Sequence, residues 1–378
     1  MKTRVLFPGV LVCLLVGGAA HSAPPAASDE AGTSLQVSAS DQTAADSTTA
    51  HRVHTRGALR PEGGQHPSAT FEQGAPGTLI RAGGQAATTQ SVFYRGPGLT
   101  PPGLPAPGFY PDDMYQYTPP GPVVTTAEMH DLYVNNEPSH WGNPSTFQKR
   151  LLDSTMIHVV DQYVGATADG RYELGRSVRV TYSVSSTPLS DGSDISSIVH
   201  AAATRFGAGY DHVYNVFLPK GVDVCITATD CYSPDNPATW TECSYHGSVD
   251  FTDIGHVLYT VIPYQDDFAS VSGTSFYLCD VGQANPTANT SPTPNGVLID
   301  STSNAIAHET LETLANPDGN AWHSLSFESF PGNFYSPGDI GDICTNLSFL
   351  YTPSVVHGKA YYIGPVYSNK YHLCTTKP

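Results

Sequence analysis

Lysine is scarce in this 378-residue chain. There are six, none between Lys2 and Lys149, and lysine plus arginine total 17 against 34 acidic residues. The formal charge of −17 leaves no basic face to neutralise phosphates, which excludes nucleic-acid binding and disfavours anionic membrane surfaces. Charged residues of both signs make up only 13% of the chain, so long solvated helices are not its main material. Beyond the N-terminal stretch no segment is apolar for long enough to cross a bilayer. Closely paired cysteines are missing too, which argues against a thiolate-ligated metal.

Glycine and proline, 35 and 31 residues, are plentiful instead. With abundant Ser, Thr and Tyr they point to loop-rich, partly β structure. At the N-terminus, Lys2 and Arg4 precede the apolar VLFPGVLVCLLVGGAA and the small residues GGAAHSA. That is the layout of a secretory signal peptide over residues 1–23, with cleavage expected between Ala20 and Ala23. Six cysteines remain beyond Cys13, an even number that reads as three disulfides in an exported chain. Fifteen connectivities are open; the expected one joins Cys225 to Cys231, Cys243 to Cys279 and Cys344 to Cys374.

Residues 24–120 hold few aliphatics and many Ala, Gly, Pro, Ser and Thr. Such a stretch buries too little apolar surface to offset its ordering entropy, so it is expected to be a disordered linker or pro-segment. From Gly121 the texture changes. GPVVTTAEMHDLYV, RYELGRSVRVTYSVSS, HVYNVFLPKGVDVC and HVLYTVIPY read as strands; NPSTFQKRLLDSTMIHVVDQYV and SDISSIVHAAATRFG read as helices. LIDSTSNAIAHETLETLANPDG is the central helix, with N-cap oxygens on Asp300, Ser301 or Thr302 and a stop at Asn-Pro-Asp-Gly. The expected fold class is α+β, a mixed α/β order in one disulfide-stapled domain over 121–378.

The chemistry concentrates on that helix. At 100° per residue, Ala307, Leu311, Leu314 and Ala315 share one face, and His308 and Glu312 sit together at its edge. An imidazole and a carboxylate four residues apart reach one ion, while Glu309, about a quarter-turn away, is placed as general base. The bland alternative is a polar helix face with a satisfied histidine. A third ligand is open among Glu328, Asp339, Asp342 and His323; GDIGDIC puts Asp339 and Asp342 beside Cys344, whose disulfide would pin them. One His and two carboxylates suit Zn2+, with harder divalent ions competing. His246, in the loop sequence ECSYHGS, reads as a cleft residue stabilising an oxyanion, as a ligand, or as a structural histidine.

HETLETLANPDGNAW followed by GDIGDIC resembles the His-Glu-x-x-Glu, Asn-Pro, Ala-Trp and Asp-x-Cys run of the EXORDIUM/phosphate-induced protein family and its secreted bacterial relatives. NVFLPKGVDVC with ECSYHGS, and the opening GPVVTTAEMHDLYV, are similar to the family as well, so the likeness covers about residues 120–375. It implies an extracellular or cell-envelope protein with a zincin-like, metalloprotease-type helix, His308, Glu309, Glu312, Asp342 and His246 falling on matching positions. Asp339 stands where the family usually has Glu. Two functions follow as expectations: a secreted zinc-dependent hydrolase acting on peptide bonds, or a non-enzymatic binding protein whose ion is structural and whose partner is an extracellular peptide or cell-wall polymer.

Overall fold

The computed structural model describes residues 34–37, 49–53, 80–81, 85–86, 113–184, 187–236, 239–240, 242–265, 269–271, 274–276, 279, 293–323, 329–330, 333–334, 338–345 and 352–378. The expected signal peptide, 1–23, lies outside them.

One eight-stranded sheet organises the chain. Its strands are β1 (Ser34–Val37), β2 (Thr49–Val53), β3 (Ala127–Val134), β4 (Tyr172–Leu174), β5 (Val178–Tyr182), β6 (Gly209–Phe217), β7 (Tyr245–Phe251) and β8 (Gly255–Ile262). The spatial order is β1-β5-β3-β6-β8-β7-β2, with β4 also pairing β3. Neighbours from β1 to β8 run parallel; β7 and β2 are antiparallel to their partners. The sheet is therefore mixed, and with the helices beside it the fold has the α+β character expected from the sequence.

Alternation along each central strand sorts side chains to two faces. Met129, Tyr133, Val213, Phe217, Leu258 and Ile262 enter one core; Leu132, Val134, Tyr214, Val216, Val257, Tyr259 and Val261 enter the other. Apolar residues on both faces are what a parallel sheet covered on both sides requires. Helices α1 (Pro144–Leu152) and α3 (Val297–Ala315) supply Phe147, Leu151, Ala307, Leu311 and Leu314 to the first core. Helix α2 (Ser196–Phe206) supplies Ile198, Val199, Ala202 and Ala203 to the second.

Three differences from the sequence reading have physical causes. The segment 24–120, expected to be without fold, contributes β1 beside β5 and β2 beside β7. An edge strand joins by backbone hydrogen bonds, so it needs few aliphatics. The helix expected over 143–164 is broken: α1 ends at Leu152 and a 3-10 turn runs from Thr155 to Val160, where the Ser154 hydroxyl accepts from Met156 N (3.1 Å). Helix α3 begins at Val297, one turn before the expected cap; Gly296 precedes it, and Asp300 in its first turn accepts from Asn295 N (3.0 Å).

The three disulfides are Cys225–Cys231, Cys243–Cys279 and Cys344–Cys374. The last fastens the short helix Asp342–Thr345 to the C-terminal strand Leu373–Thr375. No helix among the described residues is long and apolar enough to cross a membrane.

Candidate metal centre

Helix α3 lies between the sheet and the strand Lys359–Ile363, so burial runs around it. From Asp300 to Ala315 only Asn304 and His308 are not fully buried. The carboxylates of Glu309 and Glu312 are thus inside the protein, both 0% exposed, and not on the rim of a solvated face. Small polar residues permit this: Thr313, for example, returns its hydroxyl to Glu309 O (2.7 Å) and costs no unpaired donor.

Three elements converge on the C-terminal half of this helix. Strand β7 brings His246 up from the sheet, and the residue before that strand brings Ser244. The Asn-Pro turn brings Asn316, and the loop 338–342 brings Asp339 and Asp342, all buried. Gly341 makes the loop's close approach possible. A Cβ there would lie 2.5 Å from His308 Cε1 and 2.7 Å from Glu312 Oε1, so no other residue fits without moving the loop.

Glu312 is the centre of the cluster. Its Oε1 accepts from Gly341 N (2.8 Å) and Asp342 N (3.0 Å) and lies 3.2 Å from His308 Nε2; its Oε2 lies 3.6 Å from His246 Nδ1. His308 Nε2 is also 3.5 Å from Asp342 Oδ1. On the other side, His246 Nδ1 meets Glu309 Oε2 (3.2 Å) and His246 Nε2 faces Asn316 O (3.3 Å) and Asp339 Oδ2 (3.7 Å). Ser244 Oγ donates to Glu309 Oε1 (2.6 Å) and Asn316 Nδ2 donates to Asp339 Oδ1 (2.5 Å). The ligand atoms of His246, Glu312 and Asp339, and those of His308, Glu309 and Glu312, lie within 4.8 Å of one another, and Asp342 Oδ1 adjoins the second set at His308 Nε2.

Four buried carboxylates and two imidazoles cannot all carry their ordinary charges in a dry site. Burial, then the Glu312 charge, raises Asp339 well above the carboxylate range and Asp342 to about 7. Burial opposes charge on both histidines, but the carboxylates prevail. The hydrogen bond to Glu309, with the charges of Asp339, Glu309 and Glu312, lifts His246 to about 9; Glu312 and Asp342 lift His308 well above its usual value. Four carboxylates gathered without solvent repel one another, and among the described residues only the two imidazoles stand near enough to offset them. A divalent cation held by neutral imidazole would take over that role and release the imidazole proton. His308 Nε2 and Asp339 Oδ2 are buried and make no hydrogen bond among the described residues, as ligand atoms awaiting an ion would be.

Comparison with protein-family models, with curated proteins and with solved structures finds no match to this chain. The site rests on its own geometry.

Of the residues singled out in the sequence, His308, Glu309, Glu312, Asp339, Asp342 and His246 are all brought together. His323 is not; it lies on the short strand Trp322–His323, paired with Tyr115 and against the Tyr117 ring (5.8 Å). Glu328 lies outside the described residues. Ser244, Asn316 and Gly341 were not anticipated. Asn316 had a signal, since it ends the helix, and its side chain closes that turn by accepting from Ala321 N (2.7 Å).

A row of polar side chains extends from this centre across the sheet. Register places His246 opposite Thr260, Thr260 opposite Asn215 and Asn215 opposite Asp131. Thr260 Oγ1 donates to Asn215 Oδ1 (2.9 Å), Asn215 Nδ2 to Asp131 Oδ1 (2.9 Å) and Ser145 Oγ to Asp131 Oδ2 (2.6 Å). The buried Asp131 carboxylate is thereby solvated by protein, though burial still raises its pKa.

Proposed function

We propose that this chain is an exported protein holding one divalent transition-metal ion, zinc by the chemistry of its donors, between His308, Glu312 and Asp342. One observation carries the reading. A tetrahedral ion with bonds of about 2.0–2.1 Å puts its ligand atoms roughly 3.3 Å apart, and the separations from His308 Nε2 to Glu312 and Asp342 are 3.2 and 3.5 Å. His246 and Asp339 flank the ion. Glu309 then acts as the carboxylate that orients His246, since its two oxygens are engaged by Ser244 and His246.

In this reading the ion neutralises buried carboxylates and locks the 338–342 loop to α3, and the protein is a binding module. Its partner is an extracellular peptide or a cell-wall polymer. The leader-like N-terminus and three disulfides support export. The likeness of HETLETLANPDGNAW and GDIGDIC to the EXORDIUM/phosphate-induced family supports the same location.

A second reading, a zinc-dependent peptidase, is favoured by the His-Glu-x-x-Glu helix and by His308, whose side chain is 12% exposed where its neighbours are closed. A bound ion would polarise a scissile carbonyl. Glu309 would have to exchange its Ser244 hydrogen bond for a water in order to take a proton. Glu309→Gln separates the two. Both readings expect the variant to keep its zinc. Peptide cleavage by zinc-loaded wild type that vanishes in Glu309→Gln establishes the peptidase; no cleavage by the wild type leaves the binding module.

A further inference from the structure

A second cluster lies on the opposite face of the sheet. Parallel register sets His212 of β6 against Glu128 of β3, and Tyr214 against His130. Residues two apart share a face, so Glu128, His130, His212 and Tyr214 form one square of side chains beneath α2. His130 is 1% exposed and stacks between the rings of Phe206 (5.4 Å) and Tyr214 (5.1 Å). His130 Nε2 lies 3.1 Å from His212 Nδ1 and 3.5 Å from Glu128 Oε2. All three ligand atoms lie within 4.8 Å of one another.

We infer that Glu128, His130 and His212 form a separate site for a borderline transition-metal ion such as zinc. These separations of 3.1 and 3.5 Å bracket the roughly 3.3 Å edge of a tetrahedron with bonds of about 2.0–2.1 Å. Two imidazoles and one carboxylate select zinc, nickel or copper over calcium or magnesium. The Glu128 side chain is 54% exposed, so an ion can reach the site from solvent. Two glycines leave the rings their room. A Cβ on Gly175 would lie 2.5 Å from His130 Cε1, and one on Gly207 would lie 2.3 Å from His212 Nε2.

The surroundings of His130 Nδ1 suit an exchange of proton for metal. Arg176 N lies 3.1 Å from it and Arg176 O 3.3 Å. Without an ion, the amide donates to Nδ1 and the ring proton sits on Nε2, between the two imidazoles. With an ion on Nε2, the proton moves to Nδ1, and the Arg176 peptide turns its amide away so that its carbonyl accepts that proton. The site shares no residue with the Glu312 cluster, so it stands or falls independently.

The test is titration of the metal-stripped full chain with Co2+, read by the visible absorption of low-coordinate cobalt, beside zinc content by elemental analysis. His212→Ala and Glu128→Gln should each bind one equivalent fewer than wild type. His308→Ala should keep the equivalent that these two lose. Glu128→Gln guards against misfolding, since it alters an exposed side chain only. If both variants bind as much cobalt and zinc as wild type, or if no ion is lost from either relative to His308→Ala, the site does not exist.

Discussion

His246 Nδ1 lies 3.2 Å from Glu309 Oε2, and neither side chain has any exposed surface. One comes from the sheet and the other from the helix laid across it. The pair joins the two layers at the point where the carboxylates gather. Removing one member leaves the other buried without its partner, which costs about 3–5 kcal/mol for a charged pair. His246→Ala should therefore destabilise the protein by that amount in urea. Glu309→Gln, which keeps a hydrogen-bonding group, should cost about 1–2 kcal/mol. Equal losses for the two would show that the pair is not ionic.

Gly341→Ala changes no ligand yet should impair the centre. Its Cβ would press on His308 and Glu312 within a packed loop. We expect a loss of about 1–3 kcal/mol and weaker retention of zinc on dialysis. Wild-type behaviour would mean the loop is not held against the helix.

The Cys344–Cys374 bridge closes a separation of 30 residues. On the chain-entropy account its removal costs about 3–4 kcal/mol. Because it anchors the turn carrying Asp339 and Asp342, the Cys344→Ser, Cys374→Ser double variant should lose zinc at lower chelator concentration than wild type. A bridge that only staples the C-terminus would lower the melting temperature and leave chelator resistance unchanged.

His256 and Asp318 dock the turn after α3 onto the sheet, with His256 Nε2 3.0 Å from Asp318 Oδ1 and Nδ1 2.8 Å from Asp250 Oδ1. Burial opposes charge on His256, but Asp318 and Asp250 raise it above 6.5; that stability is complete below 6.5 and is lost as pH rises through the folded value. Burial also opposes charge on Asp318, but His256, Tyr210 and Ser248 hold it below 3.8; that stability is present above 3.8 and is lost as pH falls. The pair should be most effective between 3.8 and 6.5. A double-mutant cycle with His256→Asn and Asp318→Asn should give roughly 1–2 kcal/mol at pH 5.5 and less at pH 9. A coupling that grows with pH would reverse the assignment.

Local pattern carried most of the strand and helix positions, and near-neighbour cysteines carried the three bridges. Two things were beyond it. The approach of His246 to Glu309 spans 63 residues and depends on β7 lying outside β8 at the far side of the sheet. A strand's place in a sheet is not written in its own periodicity. The burial of α3 on all sides was also hidden, because Ser301, Thr302, Ser303, Thr310 and Thr313 read as solvent-facing residues. A hydroxyl such as that of Thr313 returns to the backbone, and that of Thr310 accepts from Gln148, so small polar residues pass into a core that a hydropathy stripe would not admit. The buried carboxylates Asp339 and Asp342 were legible through Cys344, since a disulfide limits where its neighbours can go.

The most direct measurement is the zinc content of the purified full chain by elemental mass spectrometry, beside His308→Ala. The account predicts that the variant holds about one equivalent less than wild type while keeping a cooperative unfolding transition. The same zinc in both proteins, or none in either after incubation with zinc, would contradict it.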